Sequence, residues 1–210
     1  MDHILKVSTN NHRRIAIYGK AGLGKSITAS NICAALSDLG ERVMQIGCDP
    51  KRDSVVSLTH QMIPTILEQI DAWQAAGNDG GNLPREEVEK VIVKGHSNIL
   101  RAASGGPPAG IGCSGLGVKL ALEQLWFADI FARHGITFSV FDILGDVVCG
   151  EFAQPLRSGF CKEVNIVTSG ETLSIYVTNN ILKGVKRLFD EGLDIGIGGL
   201  IINNQVAEHD

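Results

Sequence analysis

The sequence predicts an α/β fold built on a doubly wound, mainly parallel sheet. Short apolar runs alternate with helical patterns along the chain, which is typical of strand–helix–strand units. A glycine-rich segment, Gly19 to Ser26, lies between the first apolar run and the first helical pattern. Polar or glycine-rich segments also follow the later apolar runs. Because ligands collect at the carboxyl ends of parallel strands, we expect these segments to form one composite site.

The elements follow from local patterns. Apolar, β-branched runs predict strands at residues 14–18, 42–46, 98–102, 137–141, 163–168 and 195–202. Helical periodicity predicts helices from the first loop to residue 39 and over residues 64–76, 84–94, 113–133 and 171–191. Gly40 and Gly192 are the expected C-terminal stops of the first and last helices, and Pro84 begins the short charged one. Residues 76–84 read as a surface loop.

The segment GKAGLGKS matches the phosphate-binding pattern G-x-x-x-x-G-K-[ST] in its required strand–loop–helix setting. Its backbone N–H groups and the following helix N-terminus would point at phosphate oxygens. Lys25 would reach the β- and γ-phosphates, and the Ser26 hydroxyl would ligate Mg²⁺. The alternative is a glycine-rich turn without a ligand. The candidate nucleotide-binding residues of this loop are Gly19, Lys20, Ala21, Gly22, Leu23, Gly24, Lys25 and Ser26.

Size and composition limit the classes of function. A chain of 210 residues with 44 % hydrophobic residues and a net charge of −4 is typical of a globular protein, with no excess of positive charge for nucleic acid or anionic membranes. We expect a single domain over residues 1–210, with a flexible N-terminus at residues 1–13. No apolar run is long enough to span a membrane, and the N-terminus lacks a signal-peptide pattern, which predicts a cytoplasmic protein.

Acidic residues follow two of the predicted strands. Asp142 ends the strand TFSVF, where a carboxylate can organise Mg²⁺ through water, although a strand-end Asp can also cap a turn. Asp146 follows four residues later and could orient or deprotonate the attacking water. Asp49 and Asp53 flank Lys51 after the second strand, and such a loop could sense a γ-phosphate and its metal. Taken alone, each is more often a solvated turn residue.

The five cysteines fall into two groups. Cys33 lies in an apolar helical pattern and is expected to be buried packing, while Cys48 and Cys161 carry no clear signal. Cys113 and Cys149 each lie next to glycine and close to a predicted helix start, whose N–H groups would stabilise a thiolate. These two are 36 residues apart, so they do not form a zinc-type pair. Two copies of the chain would supply the four thiolates of a [4Fe–4S] cluster; buried thiols are the alternative.

Six segments, in the same order, resemble the signatures of the nitrogenase iron protein family. They are YGKAGLGKS, GCDPKRDS, SGGPPAGIGCSGLG, FDILGDVVCGEFAQPLR, SGETLSIYVTNNI and GGLIIN. The family includes the reductase components of dark-operative protochlorophyllide and chlorophyllide reductases. The resemblance implies a P-loop homodimer with one bridging [4Fe–4S] cluster. It also implies that MgATP hydrolysis drives one-electron transfer from a ferredoxin or flavodoxin to a nitrogenase-like catalytic partner.

The resemblance also implies residue roles. Cys113 and Cys149 resemble the cluster ligands, and Lys20 resembles the signature lysine that approaches the nucleotide at the subunit interface. Asn203 resembles the residue that recognises adenine. The remaining roles concern the two switch segments and their metal. The first switch would contain Asp49, Lys51 and Asp53. The second would run from Asp142 to Cys149, with Asp146 as the base that positions the attacking water. Asp53 and Ser26 would face Mg²⁺.

Several features depart from the family pattern, and three of them bear on the predictions. Ala21 replaces a usual glycine, which is tolerable only if its φ stays negative. Leu116 replaces an arginine of the partner-docking surface, which argues against true nitrogenase as the partner. Family members continue well past the position of Asn203, whereas this chain ends at Asp210. The early end predicts either a C-terminally truncated chain, with exposed apolar surface at that edge, or a dispensable final lobe.

Two further functions compete with the electron-transfer reductase. One is a non-redox, dimeric partition-type ATPase of the same P-loop class, and the other is a scaffold that holds a cluster but donates to no enzyme. Only Cys113 and Cys149 separate the reductase from the partition ATPase.

Overall fold

The computed structural model describes residues 12–49, 54, 62–106, 114–143 and 153–203. The strands of this part are β1 (Arg13–Gly19), β2 (Val43–Cys48), β3 (Val93–Lys94), β4 (Leu100–Ala103), β5 (Phe138–Ile143), β6 (Glu163–Thr168) and β7 (Gly196–Ile202). They form one sheet in the order β3-β4-β2-β5-β1-β6-β7. Only β3 runs antiparallel to its neighbour within this sheet. The predicted mainly parallel sheet is confirmed.

Helices cover both faces of the sheet, as a doubly wound fold requires. They are α1 (Lys25–Asp38), α2 (Ile66–Ala75), α3 (Arg85–Glu89), α4 (Ser114–Phe127), α5 (Ile130–Arg133), α6 (Gln154–Arg157) and α7 (Thr172–Asp190). On one face, Ala29 and Cys33 of α1 belong to a buried cluster with Ile15 and Ile17 of β1. On the other face, α2 and α4 to α7 contribute to a larger cluster with the alternate β1 residues, such as Tyr18. The alternation of strand side chains therefore divides the core into two layers.

Several element boundaries differ from the sequence prediction. β2 starts one residue later and extends to Cys48, and the helix expected over residues 84–94 ends at Glu89 before β3. The helix expected over residues 113–133 is two helices, because Asp129 has the left-handed φ of 57° and interrupts the hydrogen-bond ladder. Asp142 does not end its strand but lies inside β5, since pairing with β2 continues to Ile143.

The first described residues already make tertiary contacts. His12 bonds through Nε2 to the Ser139 hydroxyl at 2.8 Å, and Arg13 is the first residue of β1. These two residues end the expected flexible N-terminus of residues 1–13, and the rest of that stretch lies outside the described residues. In the described part of the chain, no helix is both long and apolar enough to cross a membrane.

Strand β7 lies at the edge of the sheet beside β6. Its apolar residues Ile197, Leu200 and Ile202 are exposed. This edge of the described sheet therefore carries exposed apolar surface.

A capping box fixes the start of α2. The Thr65 hydroxyl accepts a hydrogen bond from the Glu68 amide at 3.2 Å, and the Glu68 carboxylate accepts one from the Thr65 amide at 3.0 Å. These reciprocal bonds satisfy amides that a helix N-terminus otherwise leaves unpaired.

We predict that Thr65→Ala lowers the free energy of unfolding by about 1 kcal/mol, because the cap is lost. Urea unfolding of the purified protein measures this change. The matched control is Thr172→Ala, at the exposed first residue of α7, where the N-cap residue makes no side-chain capping bond. The control is expected to change the free energy by less than about 0.5 kcal/mol. Equal effects of the two substitutions would contradict the capping role.

Candidate phosphate-binding site

The loop after β1 has the backbone of a phosphate cradle. Gly19, Gly22 and Gly24 have positive φ values of 149°, 85° and 77°. A Cβ at Gly19 would lie 2.3 Å from the carbonyl oxygen of Val167, so only glycine fits between β1 and β6. α1 then begins at Lys25. The loop therefore passes directly into a helix N-terminus, the arrangement that binds phosphate.

Ala21 satisfies the condition set by the sequence. The non-glycine residues with positive φ in the described chain are Ser97, Asn98 and Asp129, so Ala21 keeps a negative φ. Its methyl group is exposed and adds no backbone strain.

A buried ion pair joins the loop to the centre of the sheet. Lys25 Nζ donates to Asp142 Oδ1, and the two side chains are 8 % and 0 % exposed. The other carboxylate oxygen, Asp142 Oδ2, is buried without a hydrogen-bond partner in the described part of the protein. A buried carboxylate oxygen without a partner is costly unless a metal ion, water or donor completes it. The donor chemistry of Asp142 and the neighbouring Ser26 therefore fits Mg²⁺ and its water ligands.

The last strand supports the loop from the side. Asn203 follows β7, and its amide Nδ2 donates to the carbonyl oxygen of Leu23 at 2.8 Å. The backbone amide of Asn203 donates to the Thr168 carbonyl at 2.8 Å. Sequence reasoning places Asn203 near the nucleotide but misses this bond, because loop and strand end are 180 residues apart. The described contact holds the phosphate loop; adenine recognition by Asn203 stays a prediction.

The remaining described candidates lie at the same edge of the sheet. Lys20 and Ser26 are partly exposed on either side of the glycine loop, and Lys20 forms no ion pair with another described residue. Asp49 is partly buried and directly follows β2. The structure thus brings the loop, Asp49, Asp142 and Asn203 to the carboxyl ends of β1, β2, β5 and β7. Five candidates lie outside the described residues: Lys51, Asp53, Cys113, Asp146 and Cys149.

The three described cysteines are buried thiols. Burial raises the pKa of Cys33 and of Cys161 to about 12 and raises that of Cys48 well above its usual value. A group of three or more His, Cys, Asp or Glu side chains placed to hold a metal is absent from the described residues. Cys33 is a packed core residue, as predicted, and Cys48 and Cys161 are core residues on the other face of the sheet.

The fold and the loop define the class of protein: an α/β P-loop nucleotide-binding protein. More narrowly, the chain belongs to the NifH/frxC family of 4Fe-4S iron sulfur cluster binding proteins, whose pattern matches residues 13–210.

Three solved structures share the fold at low sequence identity. The chain is similar to the MinC:MinD cell division protein complex of Aquifex aeolicus, with a TM-score of 0.62, 18 % identity, and coverage of 90 % of this chain and 68 % of that one. A ParA family ATPase of Chlorobium tepidum has a TM-score of 0.59 and 16 % identity, with 91 % and 73 % covered. Cobyrinic acid a,c-diamide synthase of Mycobacterium smegmatis, with bound ADP and magnesium, has a TM-score of 0.63 and 17 % identity, with 91 % and 74 % covered. At these identities the likeness establishes the fold alone.

We predict that Lys25 and Asp142 are strongly coupled in stability. Lys25→Met leaves a buried carboxylate unpaired and should lower the free energy of unfolding by about 3 kcal/mol, whereas Lys25→Met with Asp142→Leu should recover most of that loss. A double-mutant cycle by urea unfolding measures the coupling. Its matched control is the exposed Lys186–Asp190 pair on α7, changed in the same way, with an expected coupling below about 0.5 kcal/mol. Additive effects at Lys25 and Asp142 would contradict the buried pair.

Proposed function

We propose that this chain is the ATP-binding subunit of a nitrogenase-like reductase, which couples MgATP hydrolysis to one-electron transfer. The observation that carries the proposal is the family match over residues 13–210, in a chain whose sheet is built around a phosphate-binding loop. Two copies would form a homodimer around one [4Fe–4S] cluster. The donor would be a ferredoxin or flavodoxin, and the acceptor a nitrogenase-like catalytic component.

The described residues support the nucleotide half of the proposal. The loop from Gly19 to Gly24 would bind the phosphates with its backbone amides, and Lys25 would leave Asp142 to reach the β- and γ-phosphates. Asp142 and Ser26 would then organise Mg²⁺, while Lys20 would approach the phosphates across the dimer interface. The cobyrinic acid a,c-diamide synthase structure, which shares this fold, holds ADP and magnesium. Asp49, Lys51, Asp53 and Asp146 would act on the γ-phosphate and the attacking water.

The cluster half rests on the family and on sequence position. Cys113 immediately precedes α4, whose N-terminus would stabilise an anionic cluster. Cys149 follows Asp142 by seven residues, so one short segment would join the nucleotide carboxylate to a cluster thiolate. When bound, the cluster supplies a one-electron redox centre. The protein would contribute its ligands, its exposure and its docking surface.

An exposed residue on α4 bears on which class of protein would accept the electron. Leu116 lies three residues after Cys113 and is 66 % exposed. An apolar side chain there suits a partner other than true nitrogenase, for which the resemblance implies an arginine. We therefore favour an acceptor of the protochlorophyllide or chlorophyllide reductase kind.

A partition-type ATPase without redox chemistry is the second candidate. The observation that favours it is the shared fold of the MinD and ParA family structures. Both candidates need the phosphate loop, whereas only the reductase needs iron bound by Cys113 and Cys149.

We predict that Lys25→Ala abolishes MgATP binding, because the charge at the β- and γ-phosphates is lost. Equilibrium titration with a fluorescent ATP analogue measures the affinity, and Lys183→Ala, an exposed lysine on α7, is the control expected to bind normally. Ser26→Ala preserves the buried ion pair, so it tests the site without the loss of stability expected at Lys25. Ser26→Ala should remove most of the gain in affinity that Mg²⁺ provides. Unchanged binding in both site variants would refute the nucleotide site.

We predict that the anaerobically purified protein holds about four iron atoms per dimer and that Cys149→Ser loses them. MgATP affinity should stay within about twofold, since the phosphate loop is unchanged. Elemental analysis of iron provides the measurement. Cys161→Ala is the matched control, because this buried thiol precedes β6 at the opposite edge of the sheet and should leave the iron in place. Colourless, iron-free wild-type protein that binds MgATP would favour the partition-type ATPase.

A further inference from the structure

A buried polar network lies behind the phosphate loop, on the α1 face of the sheet. Its centre is Gln45, the third residue of β2, which has no exposed surface. Arg101 of β4 is Gln45's partner in the strand register and is also fully buried. Ser30 of α1 is 2 % exposed and faces the same amide. A glutamine and an arginine inside otherwise apolar strands require such mutual satisfaction.

The Gln45 amide makes contacts in three directions. Its Oε1 accepts a hydrogen bond from Arg101 Nη2 at 3.1 Å, and its Nε2 donates to the Ser54 carbonyl at 3.0 Å. The Ser30 hydroxyl lies 3.3 Å from Nε2 and 3.4 Å from Oε1. Arg101 can only donate and a backbone carbonyl can only accept, so these two partners fix which end of the amide faces which neighbour.

Ser54 is the functionally interesting partner. It follows Asp53 directly and lies five residues after Asp49, within the polar segment that begins where β2 ends. Its residue is fully buried, and the bond from Gln45 reaches its backbone, so that the contact does not depend on the side chain of Ser54. On α1, Ser30 lies one turn after Ser26 of the phosphate loop, on the same side of the helix. One amide therefore joins the helix of the phosphate loop to the segment that carries Asp49, Lys51 and Asp53.

We propose that Gln45 is a positioning residue: its buried amide holds the backbone of Ser54, in the polar segment after β2, at a fixed place relative to the helix that follows the phosphate loop. The proposal rests on the nucleotide site of the proposed function and adds a residue that holds its γ-phosphate side. In the proposed function the phosphate loop would hold ADP, whereas the γ-phosphate of ATP would also contact the segment after β2. Gln45 therefore sets the preference of the site for ATP over ADP.

Gln45→Glu tests this role with little change in size. The new carboxylate accepts from Arg101 as before, with opposite charges, so the strand pair is preserved. It cannot donate to the Ser54 carbonyl, and two oxygen atoms then face each other. The bond to Ser54 is lost while the core keeps its volume.

The matched control is Gln124→Glu. Gln124 on α4 is also buried, and its Oε1 accepts from the Leu83 amide at 2.8 Å. Its Nε2 donates to Asn82 Oδ1 at 3.3 Å, so the same substitution there keeps the acceptor for the Leu83 amide and removes a donor between α4 and the loop before α3, without touching the segment after β2.

Two measurements on the full chain decide the proposal. The first is the affinity for a non-hydrolysable ATP analogue and for ADP, each with Mg²⁺. Gln45→Glu should lower the affinity for the ATP analogue about tenfold and the affinity for ADP less than about twofold. The reason is that displaced binding groups weaken binding only of the phosphate that they contact. Gln124→Glu should leave both within about twofold. The second is the rate of amide hydrogen exchange in the peptide from Asp49 to Ser54, measured without nucleotide. This rate should become several-fold faster in Gln45→Glu and should not change in Gln124→Glu.

The outcomes separate this inference from the proposed function. Faster exchange with a selective loss of ATP affinity supports the role of Gln45. Unchanged exchange, or an equal loss for ATP and ADP, overturns it. Wild-type protein that binds neither nucleotide refutes the proposed nucleotide site, and the inference that Gln45 sets its ATP preference falls with it, whereas the exchange rates then still report whether Gln45 holds the segment.

Discussion

The buried pair of Lys25 and Asp142 is the interaction on which the rest of the site depends. A lysine at a helix start and an aspartate inside the sheet can both be buried there only because each offsets the desolvation of the other. Asp142 lies in β5, which is the central strand of the sheet and pairs with β1 on one side and β2 on the other. The ion pair therefore ties the start of α1 to the centre of the sheet. It also occupies the ammonium group that a phosphate would use. In the proposed nucleotide complex a phosphate would replace Asp142 as the partner of Lys25, and Asp142 Oδ2, which has no hydrogen-bond partner among the described residues, would accept a metal ion or water.

Around this pair, the loop is held by contacts from distant parts of the chain. Val167 of β6 leaves no room for a side chain at Gly19, and Asn203 donates to the carbonyl of Leu23. On the opposite side, Gln45 links α1 to Ser54 and β4. The loop is thus held by β6 and by the residue after β7, and the helix that follows the loop is bonded to β2. Preorganisation of this kind lowers the entropic cost of ordering a binding site.

The family and the structural relatives address different levels of function. The NifH/frxC match covers residues 13–210 and establishes the family, whose description concerns iron–sulfur cluster binding. The MinD and ParA family structures share the fold at 16 to 18 % identity, because the phosphate loop and its sheet serve many P-loop proteins. Both proposals for function need the same nucleotide-binding site. They differ in whether Cys113 and Cys149 also bind an iron–sulfur cluster.

The sequence alone determined the sheet class, the phosphate loop and the burial of Cys33, because local periodicity and the glycine–lysine spacing are properties of consecutive residues. It also predicted that Lys20, Asp49 and Asn203 follow strand ends, since parallel strands carry their loops to one edge. Tertiary structure alone decided that Asp142 lies inside β5 and pairs with Lys25, that Asp129 divides a helix, and that Arg101 donates a hydrogen bond to Gln45. Those outcomes depend on strand order and register, which bring together side chains that are far apart in the chain.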